Sequence, residues 1–305
     1  MTAAAILTEP KPEGYLRGVL LVGAAGLVWS LGGLFFRMVE EAGIWQVVAW
    51  RTGFLCVSML AFVLWRYRGK TLAAFTRMGR WGIIGALGIG AANTIFMFSL
   101  QHTYVANTLL MLSASPVISA IIAWVLLRER VRRATLLAMM GVALGVGVMV
   151  SGGLGTDRWL GDVLALFTVT AFAFVVIAVR AGRNVDMMPC VALGGFVACC
   201  FSTFMVFLQG ETLAVSTNDL FWCAMMGVVQ ITGGMVLFII GSKNLPAAEL
   251  ALLSLTEVIC GPIWVWLVVG EVPVQATFWG GGIVLAAMVG NALSGMRRRH
   301  PLPQV

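Results

Sequence analysis

The 305-residue chain has very little charge: 11% of its residues are charged, whereas 60% are hydrophobic. Soluble domains run nearer about 45–50% apolar and about 25% charged. A water-soluble fold cannot hide this much apolar surface, because even large domains keep much of their surface wet. Histidine is scarce, with only His102 and His300, and neither sits in a metal or nucleophile constellation. The six cysteines, Cys56, Cys190, Cys199, Cys200, Cys223 and Cys260, all fall inside apolar runs. There a thiol is a small hydrophobe, and the spacing makes neither a disulfide framework nor a metal pair with histidine. No phosphate-binding Gly loop ending in Lys-Ser or Lys-Thr occurs, which disfavours a built-in ATP motor. No metal and no cofactor is expected, and no polar stretch is long enough for a separate soluble domain.

What fills the chain instead is a series of apolar runs. About 20 apolar residues, rising 1.5 Å each, cross the hydrocarbon core. By that measure ten spans are expected, at 18–37, 44–65, 81–101, 104–127, 134–151, 160–180, 188–208, 220–241, 247–269 and 275–296. The joins near 102–104, 242–247 and 270–274 are so short that the helices they link must be antiparallel neighbours. Residues 1–17 are polar, and the first apolar run lacks a small-residue cleavage site, so it is expected to be a span and not a removed signal. The expected fold is an all-α integral membrane protein.

The net charge of +7 does not point to nucleic acid, because Lys and Arg lie in short loops between apolar runs and form no continuous face. Of the 20 cations, 17 fall on the side that holds both termini, Arg37 and Arg158 on the other, and Arg51 within the second span. The positive-inside rule then puts both termini in the cytoplasm of a multi-pass protein of the cell inner membrane. The lipid bilayer and a small-molecule substrate are the expected partners, with a monomer or a homodimer both open.

Shifting the sequence by 142 residues aligns Phe96 with Phe238, Ala106 with Ala248, Leu110 with Leu252, Trp124 with Trp266, Glu129 with Glu271 and Thr135 with Thr277. At 143, Gly18 meets Gly161 and Arg37 meets Arg180. Each match falls at the same point of the hydropathy pattern. Two five-span repeats follow, residues 1–153 and 154–305. Five is odd, so the second repeat enters from the opposite side, an inverted arrangement common in secondary transporters with the substrate site near mid-membrane.

The fourth span reads SASPVISAIIAWVLLRER with Glu129, and its repeat mate reads LTEVICGPIWVWLVVGEVP with Glu271. Each is an apolar span ending in an acidic residue, with another span after it. With the ten-span plan, this resembles the drug/metabolite transporter superfamily, EamA type, over nearly the whole chain. The resemblance implies a bundle of ten helices around a central cavity, alternating access, and export of amino acids or other small metabolites.

Ionisable groups in hydrocarbon are costly and mark function by default. Glu257 lies about ten residues into the ninth span, near the bilayer centre. A carboxyl there can exchange a proton or pair with a substrate ammonium, or simply bond a neighbouring helix. Its repeat mate is Ser115. Arg51 can pair with a substrate carboxylate, with Glu257, or with backbone carbonyls. Residues four apart share a helix face, which aligns Asn107, Met111, Ser115 and Ser119 in the fourth span with Glu249, Leu253, Glu257 and Gly261 in the ninth. Pro116 and Pro262 interrupt both spans, and interrupted helices at matching positions of two halves point to a binding site or to ordinary kinking. Asn93, deepest of the stripe Asn93, Met97 and Gln101, faces a cavity or glues helices. Trp29, beside Ser30 and Gly33, is the tryptophan expected in the cavity; Trp45, Trp65, Trp81, Trp159, Trp222 and Trp279 sit near span ends as anchors. Glu129 and Glu271, at helix ends, read as structural.

Substrate binding is therefore expected at Glu257, Arg51, Asn93, Trp29, Ser115, Asn107 and Met111, with proton coupling at Glu257. An intramembrane enzyme would need paired acid/base or metal groups, for which one Glu and one Arg are a thin basis. A channel would show a polar face on several helices or a ring of like charges. Uptake remains an alternative to export.

Overall fold

The computed structural model describes residues 14–127, 133–153, 158–181, 186–243, 245 and 247–296. Every regular element among them is helical. In chain order they are α1 (Tyr15–Arg37), α2 (Ile44–Tyr67), α3 (Thr71–Arg77), α4 (Gly79–His102), α5 (Val105–Leu112), α6 (Ser115–Leu127), α7 (Arg133–Gly153), α8 (Trp159–Ala181), α9 (Pro189–Leu208) and α10 (Thr217–Ala224). A π-helical segment, Met225–Gly233, then joins α10 to α11 (Gly234–Ser242), and α12 (Ala247–Val269) and α13 (Gln275–Met296) complete the set. Nine helices among the described residues are long and apolar enough to cross a membrane, counting Thr217–Ser242 as one.

The stretch expected as a single span at 104–127 is two shorter helices, α5 and α6. Pro116 has no N–H to offer the carbonyl of Leu112, four residues back, and α5 stops at Leu112. Two tight turns bridge the gap: Ala114 N–H donates to the Met111 carbonyl at 3.0 Å and Val117 N–H to the Ala114 carbonyl at 2.9 Å. The second expected interruption, at Pro262, leaves α12 continuous. A departure with no proline behind it lies in Met225–Gly233, where the Thr232 hydroxyl donates to the Gly227 carbonyl five residues back at 3.0 Å.

The closest packing joins elements from different halves of the sequence: α1 against α12 and α11, α2 against α9, α4 against α8 and α9, and α7 against α13. The main buried cluster mixes the halves likewise, with Phe35, Val47, Phe96 and Met97 against Val169, Met226, Val258 and Val265. Glycines allow the backbones to approach. A Cβ on Gly145 would fall 2.6 Å from the Gly280 carbonyl oxygen, and one on Gly280 would fall 2.4 Å from the Gly145 carbonyl oxygen. On the same helices, Gly147 and Gly282 have nothing within 4 Å of such an atom.

This contrast yields a test. Gly280→Ala should destabilise the purified protein by about 1–3 kcal/mol through overpacking, whereas Gly282→Ala should not lower its thermal unfolding temperature. Equal effects would contradict the packing described.

Candidate functional site

The interior polar groups fall into two sets. The first lies part-way along the helices. Arg51 is only 3% exposed. Its Nη1 donates to Asn93 Oδ1 at 3.1 Å and reaches the Asn93 carbonyl at 3.5 Å, while Asn93 Nδ2 donates to the Ile89 carbonyl at 2.9 Å. The guanidinium stands 5.8 Å from the Phe96 ring centroid, within cation–π range. Its Nε has no partner, and no carboxylate pairs with it among the described residues. A buried cation neutralised by nothing stronger than an amide and a ring keeps capacity to bind an anion.

Glu257 lies deep in the bundle, yet keeps accessible surface and no hydrogen-bonding partner among the described residues. It shares a stripe of α12 with Leu253, Gly261 and Trp264, and that stripe meets α1. A Cβ on Gly26 would sit 3.2 Å from the Leu253 carbonyl, and one on Gly261 would sit 3.4 Å from the Ser30 carbonyl. Trp264 Nε1 donates to Ser30 Oγ at 3.0 Å. Trp29, next along α1, stacks on Phe238 at 5.3 Å between ring centroids, and its carbonyl accepts from Gln230 Nε2 at 3.2 Å. The π-helical segment thus inserts Gln230 against α1. Arg51 and Glu257 do not pair. Ser115 is half-buried at the start of α6.

The second set ties together one end of the bundle, where α1 finishes at Arg37. Arg37 Nε pairs with Glu271 Oε2 at 2.8 Å, and its two Nη atoms donate to the carbonyls of Leu100 and Thr103 at 2.8 and 2.9 Å. Glu271 Oε1 accepts from Val105 N–H at 2.7 Å, at the exposed-donor end of α5. Asn107 donates to Asp162 Oδ1 at 2.9 Å and accepts from the Thr277 hydroxyl. Asp219 accepts the N–H groups of Glu40, Glu41 and Ala42 at 2.9, 3.1 and 2.8 Å, holding the α1–α2 turn. Met111, fully buried, belongs to the apolar cluster below this web. Glu271 therefore does more than cap a wet helix end; Glu129, its repeat mate, lies outside the described residues.

At the opposite end, where α2 finishes, the described ties are fewer. Arg66 reaches Asp186 at 3.5 Å, and Thr135 reaches Asn291 at 3.2 Å. Partial burial pushes the Asp186 carboxyl up, but the Tyr67 hydroxyl, the Met188 N–H and Arg66 outweigh it and hold the group below the usual carboxylate range. No group of three or more metal-ligating side chains occurs among the described residues.

Sequence reasoning missed Gln230, the Ser58–Thr232 hydroxyl pair at 2.7 Å, the Ser30–Trp264 bond and Asp162. Asp162 alone carried a visible signal, an acid just inside an apolar run.

The EamA-like transporter family matches residues 16–151 and again 159–293. The chain belongs to that family. Its relatives include an uncharacterized transporter of Pseudomonas aeruginosa, 24% identical over 78% of this chain and 80% of the relative. Another, from Synechocystis, is 27% identical over 63% of this chain and 59% of that protein. One crystal structure shares the fold, with a TM-score of 0.64 at 16% identity, covering 93% of this chain and 99% of its counterpart. This EamA-family chain is thus a membrane transporter.

Removing the amide that faces Arg51 should be costly. Asn93→Ala is expected to lower stability by about 1.5–3 kcal/mol, the range for hydrogen bonds to charged groups, read as a thermal shift in detergent. An unchanged unfolding temperature would mean that Arg51 is satisfied elsewhere.

Proposed function

We propose that the protein is a secondary transporter that exports a small metabolite, an amino acid or similar molecule, across the inner membrane by alternating access, with Glu257 binding the coupling proton. It carries out no enzymatic reaction. The observation that carries this reading is Glu257 itself: in a chain of a transporter family, an acid deep in the bundle, on the α1–α12 contact, with accessible surface and no hydrogen-bonding partner among the described residues. A transporter must hold a charge that it can exchange, and an acid already tied to a cation would serve poorly. Arg51, Asn93, Trp29 and Ser115 line the path with it, and Asn107 and Met111 form its closed end.

Ten spans support the same reading when α5 and α6 are counted as one discontinuous span. Five then fall in residues 1–153 and five in 154–305, in step with the two family matches. Inversion is supported by where repeat mates meet their neighbours. Gly161, at the start of α8, abuts His102 and Thr103 at the finish of α4. Gly18, at the start of α1, abuts Gly241 at the finish of α11, at the other end of the bundle. With the cation-rich side cytoplasmic, the Arg37 end, which carries the denser polar ties, faces outward.

The test is transport by Glu257→Gln in proteoliposomes, using a metabolite identified from an export screen in overproducing cells. The variant should insert and fold as the parent does and lose about 100-fold or more in proton-driven transport, on the order of a lost general acid/base group. Parental rates would end the reading.

A further inference from the structure

A second buried acid is left unexplained by Glu257. Asp162 is 0% exposed, in the first turn of α8. Its Oδ1 accepts two hydrogen bonds, from Thr103 Oγ1 at 2.7 Å and Asn107 Nδ2 at 2.9 Å, while Oδ2 has no partner. The surrounding shell is closed as well: Thr103, Asn107 and Thr277 are 4%, 2% and 1% exposed. The charged and titratable groups nearest this shell are Arg158 just before α8, His102 at the finish of α4, Tyr104 on the α4–α5 join, and Arg37 and Glu271 across Thr103 and Val105. None forms an ion pair with Asp162 among the described residues. Opposed forces act on the carboxyl. Two donors, the helix N-terminus and the charge of nearby Arg158 favour a charge there, whereas burial without an ion pair penalises one. A group balanced in that way is suited to reversible protonation.

We propose that Asp162 is a second proton-binding site, with the proton on Oδ2, and that it links protonation to closure of the Arg37 end. The link is Thr103. Its hydroxyl donates to Asp162 while its carbonyl accepts from Arg37 Nη2, and Arg37 in turn holds Glu271. A proton on Asp162 weakens the pull on the Thr103 and Asn107 donors, which frees the α4–α5 join that Arg37 and Glu271 clamp. The consequence for transport rests on the transporter reading; proton binding does not.

Difference infrared spectroscopy against pH, on the purified full chain in lipid nanodiscs with and without sodium, tests the site. The parent should show a protonated-carboxyl band that is lost in Asp162→Asn, kept in Glu257→Gln and unmoved by sodium. Should Asp162→Asn fail to fold, Thr103→Val decides, since loss of its hydrogen bond must displace the band. A band unaltered in whichever of these variants folds, or one removed by sodium at constant pH, overturns the proposal. Parental transport by Glu257→Gln would instead refute the role of Glu257 and leave the Asp162 band untouched.

Discussion

Hydrocarbon offers no hydrogen bonds, and every other feature of this protein follows from that constraint. Backbone groups must be satisfied within each segment, which is why the described chain is helical throughout its apolar runs. Side-chain hydroxyls obey the same rule by turning back on their own helices, as Thr52 does to Val48 at 2.6 Å and Ser254 to Leu250 at 2.9 Å. Against this background of satisfied groups, the exceptions are informative. Among them, Arg51 Nε, Gln230 Oε1, Asp162 Oδ2 and the Glu257 carboxyl are polar, interior and without a hydrogen-bond partner among the described residues.

Helix association in lipid lacks a hydrophobic drive, so close backbone approach and specific polar ties must supply it. Both are visible here. Gly145 with Gly280 brings α7 and α13 together, and Gly26 brings α1 against α12. Polar ties concentrate at the Arg37 end, where one guanidinium and one carboxylate hold the finish of α1, the α4–α5 join and the turn after α12. The closest contacts run between the halves of the sequence, and the buried clusters mix residues of both.

Much of the helical plan was legible in the sequence, because length and hydropathy alone decide whether a segment can span. The expected limits of the second span, 44–65, differ from α2 by only two residues at its end. Departures lay where a helix leaves the regular pattern. Pro116 signalled an interruption, yet the break appears one turn earlier, at the carbonyl that the proline leaves unbonded. The π-helical turn at Met225–Gly233 has no such marker. The Arg37–Glu271 pair spans 234 positions, so no local pattern could join the two, although the repeat had singled out each separately. The sequence spacing puts Asn107 and Met111 four residues apart on one helix, but spacing does not reveal a neighbour, and the neighbour of Asn107 is Asp162.

If Glu257 binds the coupling proton, it must meet water inside a membrane-embedded bundle. Substitution Glu257→Cys in a background freed of the six native cysteines, probed with a membrane-impermeant thiol reagent in inside-out vesicles, addresses this most directly. Modification from the cytoplasmic face is expected. Absence of modification from either face would show that position 257 is packed or lipid-facing, and would contradict a central path.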